Sequence, residues 1–189
     1  EIVESVETLC GRGPHDLEEL VCVQGGLLLT AAGLAADMEE GALKIHDSLN
    51  DGSALACFRA MVEAQGGDTS ILESDYALLS GLGLLDETLL STEVFAEAAG
   101  MVSDIEAMTV ARACLELGSG RRALGDEIDH GVGLILEVQV GESVEEGDPL
   151  LVIYHRGELP AGLSESLASA FTMSEGEIEL QSRITDIIR

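Results

Sequence analysis

The sequence predicts an α+β fold, with helices in the first third of the chain and strands in the last third. Two segments before residue 67 have apolar residues at the spacing of an amphipathic helix, and a third helix is expected between them. Two runs, at 132–140 and 150–155, have the alternation or the continuous apolar character of strands. The length of 189 residues suits one large or two small domains.

The predicted helices of the first third begin at recognisable signals. Pro14 and the acidic residues after it favour a helix start, and we expect a helix over about 14–35. Gly25-Gly26 lies inside that helix and predicts either a kink or a close contact with another helix. A second helix is expected over 38–49. A third begins after the Asp51-Gly52-Ser53 turn and ends at Gly66-Gly67.

The rest of the chain is predicted to contain shorter elements. Residues 69–91 lose the helical period and are interpreted as a packed connector between two domains, 1–68 and 92–189. The expected elements of the second domain are a strand at 93–102, a helix opened by a capping box at 103–106 and ended by Gly118, the two strands 132–140 and 150–155, a helix marked by Leu163, Leu167 and Phe171, and a closing strand at 183–188.

The charge of the chain excludes several partners. There are 36 acidic and 9 basic residues, and the net charge is −27. Such a chain is repelled by nucleic acid and by anionic membrane surfaces, so neither is expected as a partner. No apolar stretch approaches the roughly 20 residues of a spanning helix, and no signal peptide is visible. Cys10, Cys22, Cys57 and Cys114 are expected to be buried, reduced thiols, which favours a cytoplasmic location.

Three local patterns could carry chemistry, and each also has a plain structural interpretation. Gly118-Ser119-Gly120-Arg121-Arg122 could hold a phosphate, but it follows a helix and is better explained as a C-cap. Asp129-His130 could pair a carboxylate with an imidazole or form an exposed acidic turn. The hairpin at 138–153 is similar to those of biotinyl and lipoyl carriers, but no lysine follows Lys44 to accept a cofactor.

Three stretches together resemble the thymidine and pyrimidine-nucleoside phosphorylase family. They are DLEELVCVQGGLLL at 16–29, DGSALACFRAMVEAQGGD at 51–68 and LGSGRRALGDEIDHGVGLILEVQVGESVEEGDPLLVIYH at 117–155. The resemblance implies that residues 1–68 are a helical remnant of a central α/β domain. It implies that 92–189 are the C-terminal domain, a small barrel-like β sandwich with covering helices. It is weakest in the 69–91 connector.

The same resemblance implies a function and its limits. Family members use inorganic phosphate to displace the base from C1 of a pyrimidine (deoxy)nucleoside, and they dimerise largely through a separate helical domain. The residues that bind phosphate and base belong to family segments upstream of Glu1, so no catalytic or substrate-binding residue is assigned in this chain. Its expected partners are the upstream half of the same enzyme, the nucleoside and phosphate, and a second copy in a homodimer.

One residue is assigned a ligand role by resemblance. Glu1-Ile2-Val3-Glu4 is similar to the family motif L-E-V-x-E, whose glutamate binds a structural monovalent or calcium ion, and Glu4 takes that position. A carboxylate suits a hard cation. As a plain alternative, Glu4 is a favourable charge near a helix start. No other cofactor is expected.

Two other functions remain open from the residues. The chain could belong to an AMP phosphorylase or another nucleotide phosphorylase of the same fold. It could also be a stand-alone binding or scaffold module that kept the fold and lost the chemistry. The sequence does not separate these, because the residues that would contact the base are not in it.

Overall fold

The computed structural model describes residues 2–176, together with Ile178, Ile184 and Asp186. The described chain forms two compact units that divide between Leu79 and Ser80. The division falls within the 69–91 stretch, while the domain limits 1–68 and 92–189 stay a prediction. Apart from Ile184 and Asp186, the closing strand expected at 183–188 lies outside the described residues.

The first unit is built from helices. They are α1 (Ile2–Leu9), α2 (His15–Ala31), α3 (Met38–Asn50) and α4 (Ser53–Ala64), followed by a 3₁₀ turn at Ser70–Leu72 and by α5 (Asp75–Gly81), which runs across the division. The three helices predicted before residue 67 are therefore confirmed, although α2 ends at Ala31 and not near 35. Helix α1 is not among the predicted elements.

Helices α2 and α3 pack so closely that their backbones touch. A Cβ atom added to Gly41 would lie 2.5 Å from the carbonyl oxygen of Gly26. One added to Gly26 would lie 2.6 Å from the carbonyl oxygen of Met38. Of the two outcomes predicted for Gly25-Gly26, the structure shows the close helix contact. Only glycine fits here, because any side chain would push the helices apart.

The second unit contains two three-stranded antiparallel sheets among its described residues. Its strands are β1 (Leu90–Phe95), β2 (Gly100–Ile105), β3 (Gly133–Leu136), β4 (Ser143–Val144), β5 (Pro149–His155) and β6 (Phe171–Ser174). One sheet has the order β1-β5-β3 and the other the order β4-β2-β6. Helices α6 (Ala107–Leu117) and α7 (Leu163–Ala168) accompany the sheets. The α+β prediction with two helices beside the strands is confirmed. The described strands form two small sheets and do not close into a barrel.

Several boundaries predicted for this unit are wrong. The single strand expected at 93–102 is two strands in different sheets, β1 and β2. The capping box at 103–106 does not form, because Ser103 to Ile105 lie in β2. Instead Glu106 caps α6, and its carboxylate accepts hydrogen bonds from the N–H groups of Met108 and Thr109. The strand expected at 132–140 is shorter, covering only β3.

The last predicted helix is also shorter than expected. Leu163 and Leu167 lie in α7, as predicted, and both are buried. Phe171 does not continue that helix, because α7 ends at Ala168 and Phe171 opens β6. Its side chain is still buried in the same core, so the apolar pattern indicated burial correctly and secondary structure wrongly.

The main hydrophobic core of the described residues lies within the second unit. It joins residues of both sheets to α6 and α7, and its most buried members are Val102, Leu150, Leu151, Ile153 and Leu167, each at most 1% exposed. In β5, Leu151 and Ile153 share one face by alternation, while Leu150 lies on the other; Leu163 and Leu167 share one face of α7. The sequence pattern therefore accounts for this core directly.

The cysteines are only partly as expected. All four are free thiols, and Cys10, Cys22 and Cys114 are partly buried. Burial raises the pKa of the Cys22 thiol above its usual range, which keeps it protonated and unreactive at neutral pH. Cys57 is exposed, so the prediction of four buried thiols is wrong for this residue.

Candidate functional site

The most highly connected polar cluster of the second unit surrounds Arg156, which follows directly after β5. Its Nε donates to Oδ2 of Asp129 at 2.6 Å, and its Nη1 donates to Oδ2 of Asp86 at 2.6 Å. The same Nη1 also donates to the hydroxyl of Thr88. We call Arg156, Asp86, Asp129 and Thr88 the Arg156 cluster. It ties the segment before β1 to the segment before β3 through one guanidinium.

The electrostatics of the Arg156 cluster favour the charged forms of its members. Partial burial raises the pKa of Asp129, but hydrogen bonds from Arg156 and from the N–H of Gly131 outweigh burial and leave this pKa below its usual value. Hydrogen bonds from Thr88, and then from Arg156, lower the pKa of Asp86. Both carboxylates are thus ionised and paired at neutral pH. This is the arrangement of a structural ion pair and not of a general acid or base.

This geometry matches neither interpretation of Asp129-His130, because Asp129 is half-buried and pairs with Arg156. The Asp129 carboxylate accepts hydrogen bonds from Arg156 and from the Gly131 N–H. It therefore serves the Arg156 cluster, and the proposed pairing with His130 is not the interaction that the structure shows. No local sequence signal indicates this role of Arg156, because its two carboxylate partners are 27 and 70 residues away along the chain.

A buried histidine lies next to this cluster in the chain. His155, the last residue of β5, is 7% exposed, and both of its ring nitrogens are hydrogen bonded. Nδ1 lies 2.9 Å from the carbonyl oxygen of Gly157, which can only accept, so Nδ1 carries the proton. Nε2 is hydrogen bonded to the Thr92 hydroxyl at 2.9 Å. With both nitrogens satisfied inside the fold, His155 holds β1 to the end of β5.

The Gly118–Arg122 segment has the geometry of a helix C-cap. Gly118 adopts a left-handed conformation with φ of 100°, and its N–H donates to the carbonyl of Leu115. The N–H and hydroxyl of Ser119 both donate to the carbonyl of Cys114. The N–H of Arg122 donates to the carboxylate of Asp126. These amides are used within the chain, and the left-handed Gly118 confirms the C-cap interpretation.

Glu4 lies in the first turn of α1 and is exposed. Its own carbonyl accepts a hydrogen bond from the Thr8 hydroxyl at 2.8 Å. Among the described residues, no group of three His, Cys, Asp or Glu side chains converges in a way that could hold a metal ion. Glu4 alone offers one carboxylate, so the described residues do not complete an ion site, and the ligand role of Glu4 stays a prediction.

The comparisons with known proteins agree with the fold and with the sequence motifs. Residues 101–174, from β2 to β6, match the family described as the pyrimidine nucleoside phosphorylase C-terminal domain. This segment of the chain belongs to that family. Residues 101–174 include Asp129 and Arg156 of the Arg156 cluster, while Asp86 and Thr88 precede the matched region.

Curated relatives extend the similarity to almost the whole chain. The chain is 33% identical over 185 residues to a pyrimidine-nucleoside phosphorylase of Staphylococcus haemolyticus, a match that covers 98% of this chain and 40% of the relative. It is 36% identical to the Bacillus subtilis protein of that name, a match that covers 84% of this chain and 35% of the relative. It is 32% identical to that of Geobacillus stearothermophilus, a match that covers 100% of this chain and 42% of the relative. The chain thus spans about two fifths of the length of these relatives.

No helix among the described residues has the length and apolar character needed to cross a membrane.

Proposed function

We propose that this chain is the C-terminal part of an enzyme that phosphorolyses pyrimidine (deoxy)nucleosides to the free base and (deoxy)ribose 1-phosphate. The match of residues 101–174 to the pyrimidine nucleoside phosphorylase C-terminal domain carries this proposal. In it, the phosphate- and base-binding groups lie in the part of the protein that this chain does not span. The chain supplies a folded domain and packing surfaces for that part.

The charge of the chain supports a non-catalytic role for these residues. A phosphate dianion needs a cationic pocket rich in hydrogen-bond donors. Four of the basic side chains, Arg12, Lys44, Arg59 and Arg156, already donate to acceptors of the chain itself. The chain has 36 acidic residues and 9 basic ones, so the remaining basic side chains are too few to form such a pocket.

Base release tests the proposal. Thymidine or uridine is incubated with inorganic phosphate and the purified chain, at low and at high salt, and free thymine or uracil is measured. We expect no release above a protein-free blank from the 189-residue chain, and release once the upstream part of the enzyme is joined to it. Release by the chain alone would overturn the location of the site. AMP as a parallel substrate separates a nucleotide phosphorylase from a nucleoside phosphorylase.

We further propose that the complete enzyme works in the cytoplasm as a homodimer, and that Glu4 is one ligand of a structural monovalent or calcium ion. A carboxylate near the start of α1 is suitable for a hard cation when further oxygen ligands join it. Isothermal titration of potassium and calcium into the longer protein checks the Glu4 role, with Glu4→Gln as the comparison. Equal binding by both proteins would remove Glu4 as a ligand.

A further inference from the structure

Helix α4 is amphipathic, yet none of its residues is buried. Ala54, Cys57, Phe58 and Met61 follow the i, i+3, i+4, i+7 spacing that places side chains on one face of a helix. Met61 is 49% exposed, and Cys57 is exposed as well. In water, a large apolar side chain left half exposed forgoes part of the free energy that burial would provide. This apolar face of α4 is therefore left exposed by the described residues.

The α4 face forms one wall of an open apolar groove within the first unit. Leu9 of α1, Ser48 of α3 and Ser53 at the start of α4 complete the groove, whose volume is about 460 Å³. The Ser48 hydroxyl donates to the carbonyl of Ile45, so it is satisfied by its own helix. The groove thus presents carbon and sulfur atoms and few free polar groups. Its chemistry suits an apolar side chain or a short apolar helix face, not a charged ligand.

We propose that this groove, which we call the α4 groove, is filled by an apolar segment of the same enzyme, from the part that this chain does not span. The proposal rests on the proposed function, in which the chain is one part of a longer phosphorylase. Relatives are more than twice as long as their match to this chain, which covers 35 to 42% of them. The remainder supplies ample chain to cover a groove of this size.

Charge argues against a second copy of this chain as the occupant. Each copy carries a net charge of −27, so two copies would repel each other at the approach distances of an interface. Asp47 and Asp51 are exposed and lie within two residues of Ser48 and Ser53, which line the groove, so a second copy seated there would bring like charges together. A covalently continuous segment avoids that cost, because it reaches the groove at a high effective concentration.

The thiol of Cys57 provides a direct readout of whether the groove is covered. In a background with Cys10, Cys22 and Cys114 changed to serine, alkylation by N-ethylmaleimide is followed by mass spectrometry. The 189-residue chain is compared with the longer protein that includes the upstream part. We expect the Cys57 thiol to react roughly tenfold more slowly, or slower still, in the longer protein, as expected for a side chain behind a stable contact.

A matched variant on the same helix controls for general effects. Ala56 is exposed and does not line the groove, so Ala56→Cys combined with Cys57→Ser places a thiol one residue away and outside the groove. Its alkylation rate should be similar in both proteins. Equal reactivity of Cys57 in both proteins would overturn the proposal. Protection of Cys57 in the 189-residue chain alone, together with a dimer in sedimentation equilibrium, would also overturn it and assign the groove to a second copy.

A second measurement tests the groove without chemistry at sulfur. Met61→Asp places a carboxylate on the groove wall at a half-exposed position, so it should change the stability of the 189-residue chain little. In the longer protein it should lower the thermal midpoint clearly, because the carboxylate would be buried unpaired. These readouts do not depend on activity. A longer protein that lacks phosphorylase activity but protects Cys57 would therefore contradict the proposed function and leave the α4 groove proposal intact.

Discussion

The two units of this chain differ in how much of their apolar surface they bury by themselves. The second unit encloses a continuous core of residues between Val94 and Phe171, several of them with no exposed surface. In the described first unit, the buried apolar side chains are Val6, Leu49, Leu72 and Leu78, and α4 contributes none. The second unit thus buries its apolar core within itself, whereas the described first unit leaves the apolar face of α4 exposed.

The largest expected effect comes from the core of the second unit. Ile153→Ala removes most of a side chain with no exposed surface, and large-to-small changes at such sites cost about 2–5 kcal/mol. Urea unfolding, monitored by hydrogen exchange and mass spectrometry, measures the stability of each unit separately. Met61→Ala in α4 is the counterpart in the first unit and should cost much less, because Met61 is 49% exposed. Similar losses of unfolding free energy in both variants would contradict the difference in burial between the two units.

A smaller effect is expected where α2 and α3 touch. Gly41→Ala would place its Cβ 2.5 Å from the carbonyl oxygen of Gly26, and overpacking of this kind costs roughly 1–3 kcal/mol. Thermal unfolding followed by circular dichroism at 222 nm measures the change.

Gly25→Ala is the matched control for that substitution. Its Cβ would meet Cγ1 of Ile45 at 2.6 Å, which a change of the Ile45 rotamer can relieve, whereas at Gly41 the obstacle is backbone. Alanine also favours the helix over glycine by about 1 kcal/mol. We expect Gly25→Ala to cost clearly less than Gly41→Ala. Equal costs would show that backbone contact does not limit the approach of the two helices.

The smallest effect concerns the Arg156 cluster and depends on pH. The pKa values of Asp86 and Asp129 are lowered in the folded protein. Their contribution to folding stability is therefore fully present above the unfolded pKa, near 4, and is lost as the pH falls through the folded pKa values. Arg156→Gln should therefore lower the urea midpoint at pH 7, and this difference should shrink towards pH 3.

A second arginine serves as the control for this pH dependence. Arg59 donates to the backbone carbonyls of Thr69 and Leu72, which do not titrate. The decrease in urea midpoint caused by Arg59→Gln should therefore change little over the same pH range. A loss in Arg156→Gln that is as large at pH 3 as at pH 7 would contradict the ion-pair role of the cluster.

Local sequence patterns predicted those parts of the fold that depend on neighbouring residues. The pattern of 14–67 indicated three helices, Gly118 indicated a helix end, and the apolar run at 150–155 indicated β5. The Gly25-Gly26 pair indicated a close contact without naming its partner, which is Gly41 for Gly26. These signals act within a few residues, and a single sequence carries them in full.

Predictions failed where the structure depends on distant partners. The 93–102 run divides because β1 pairs with β5 and β2 pairs with β4 and β6, and no local pattern encodes these pairings. Ser103 could cap a helix by spacing, but its hydroxyl donates to the carbonyl of Thr172, 69 residues away. The Arg156 cluster was missed for the same reason. For the functional site, motif resemblance indicated the family, which the comparisons confirm, whereas the ion-ligand role of Glu4 is still to be measured.

The glycine contact between α2 and α3 also has a mechanical consequence. Most helix pairs meet through side chains, which can change rotamer and let one helix slide past the other by about an ångström or two. At Gly26 and Gly41 the two backbones meet directly, and no rotamer change can make room. We therefore expect α2 and α3 to move together as one rigid body, so that a displacement at one end of the pair also moves the other end.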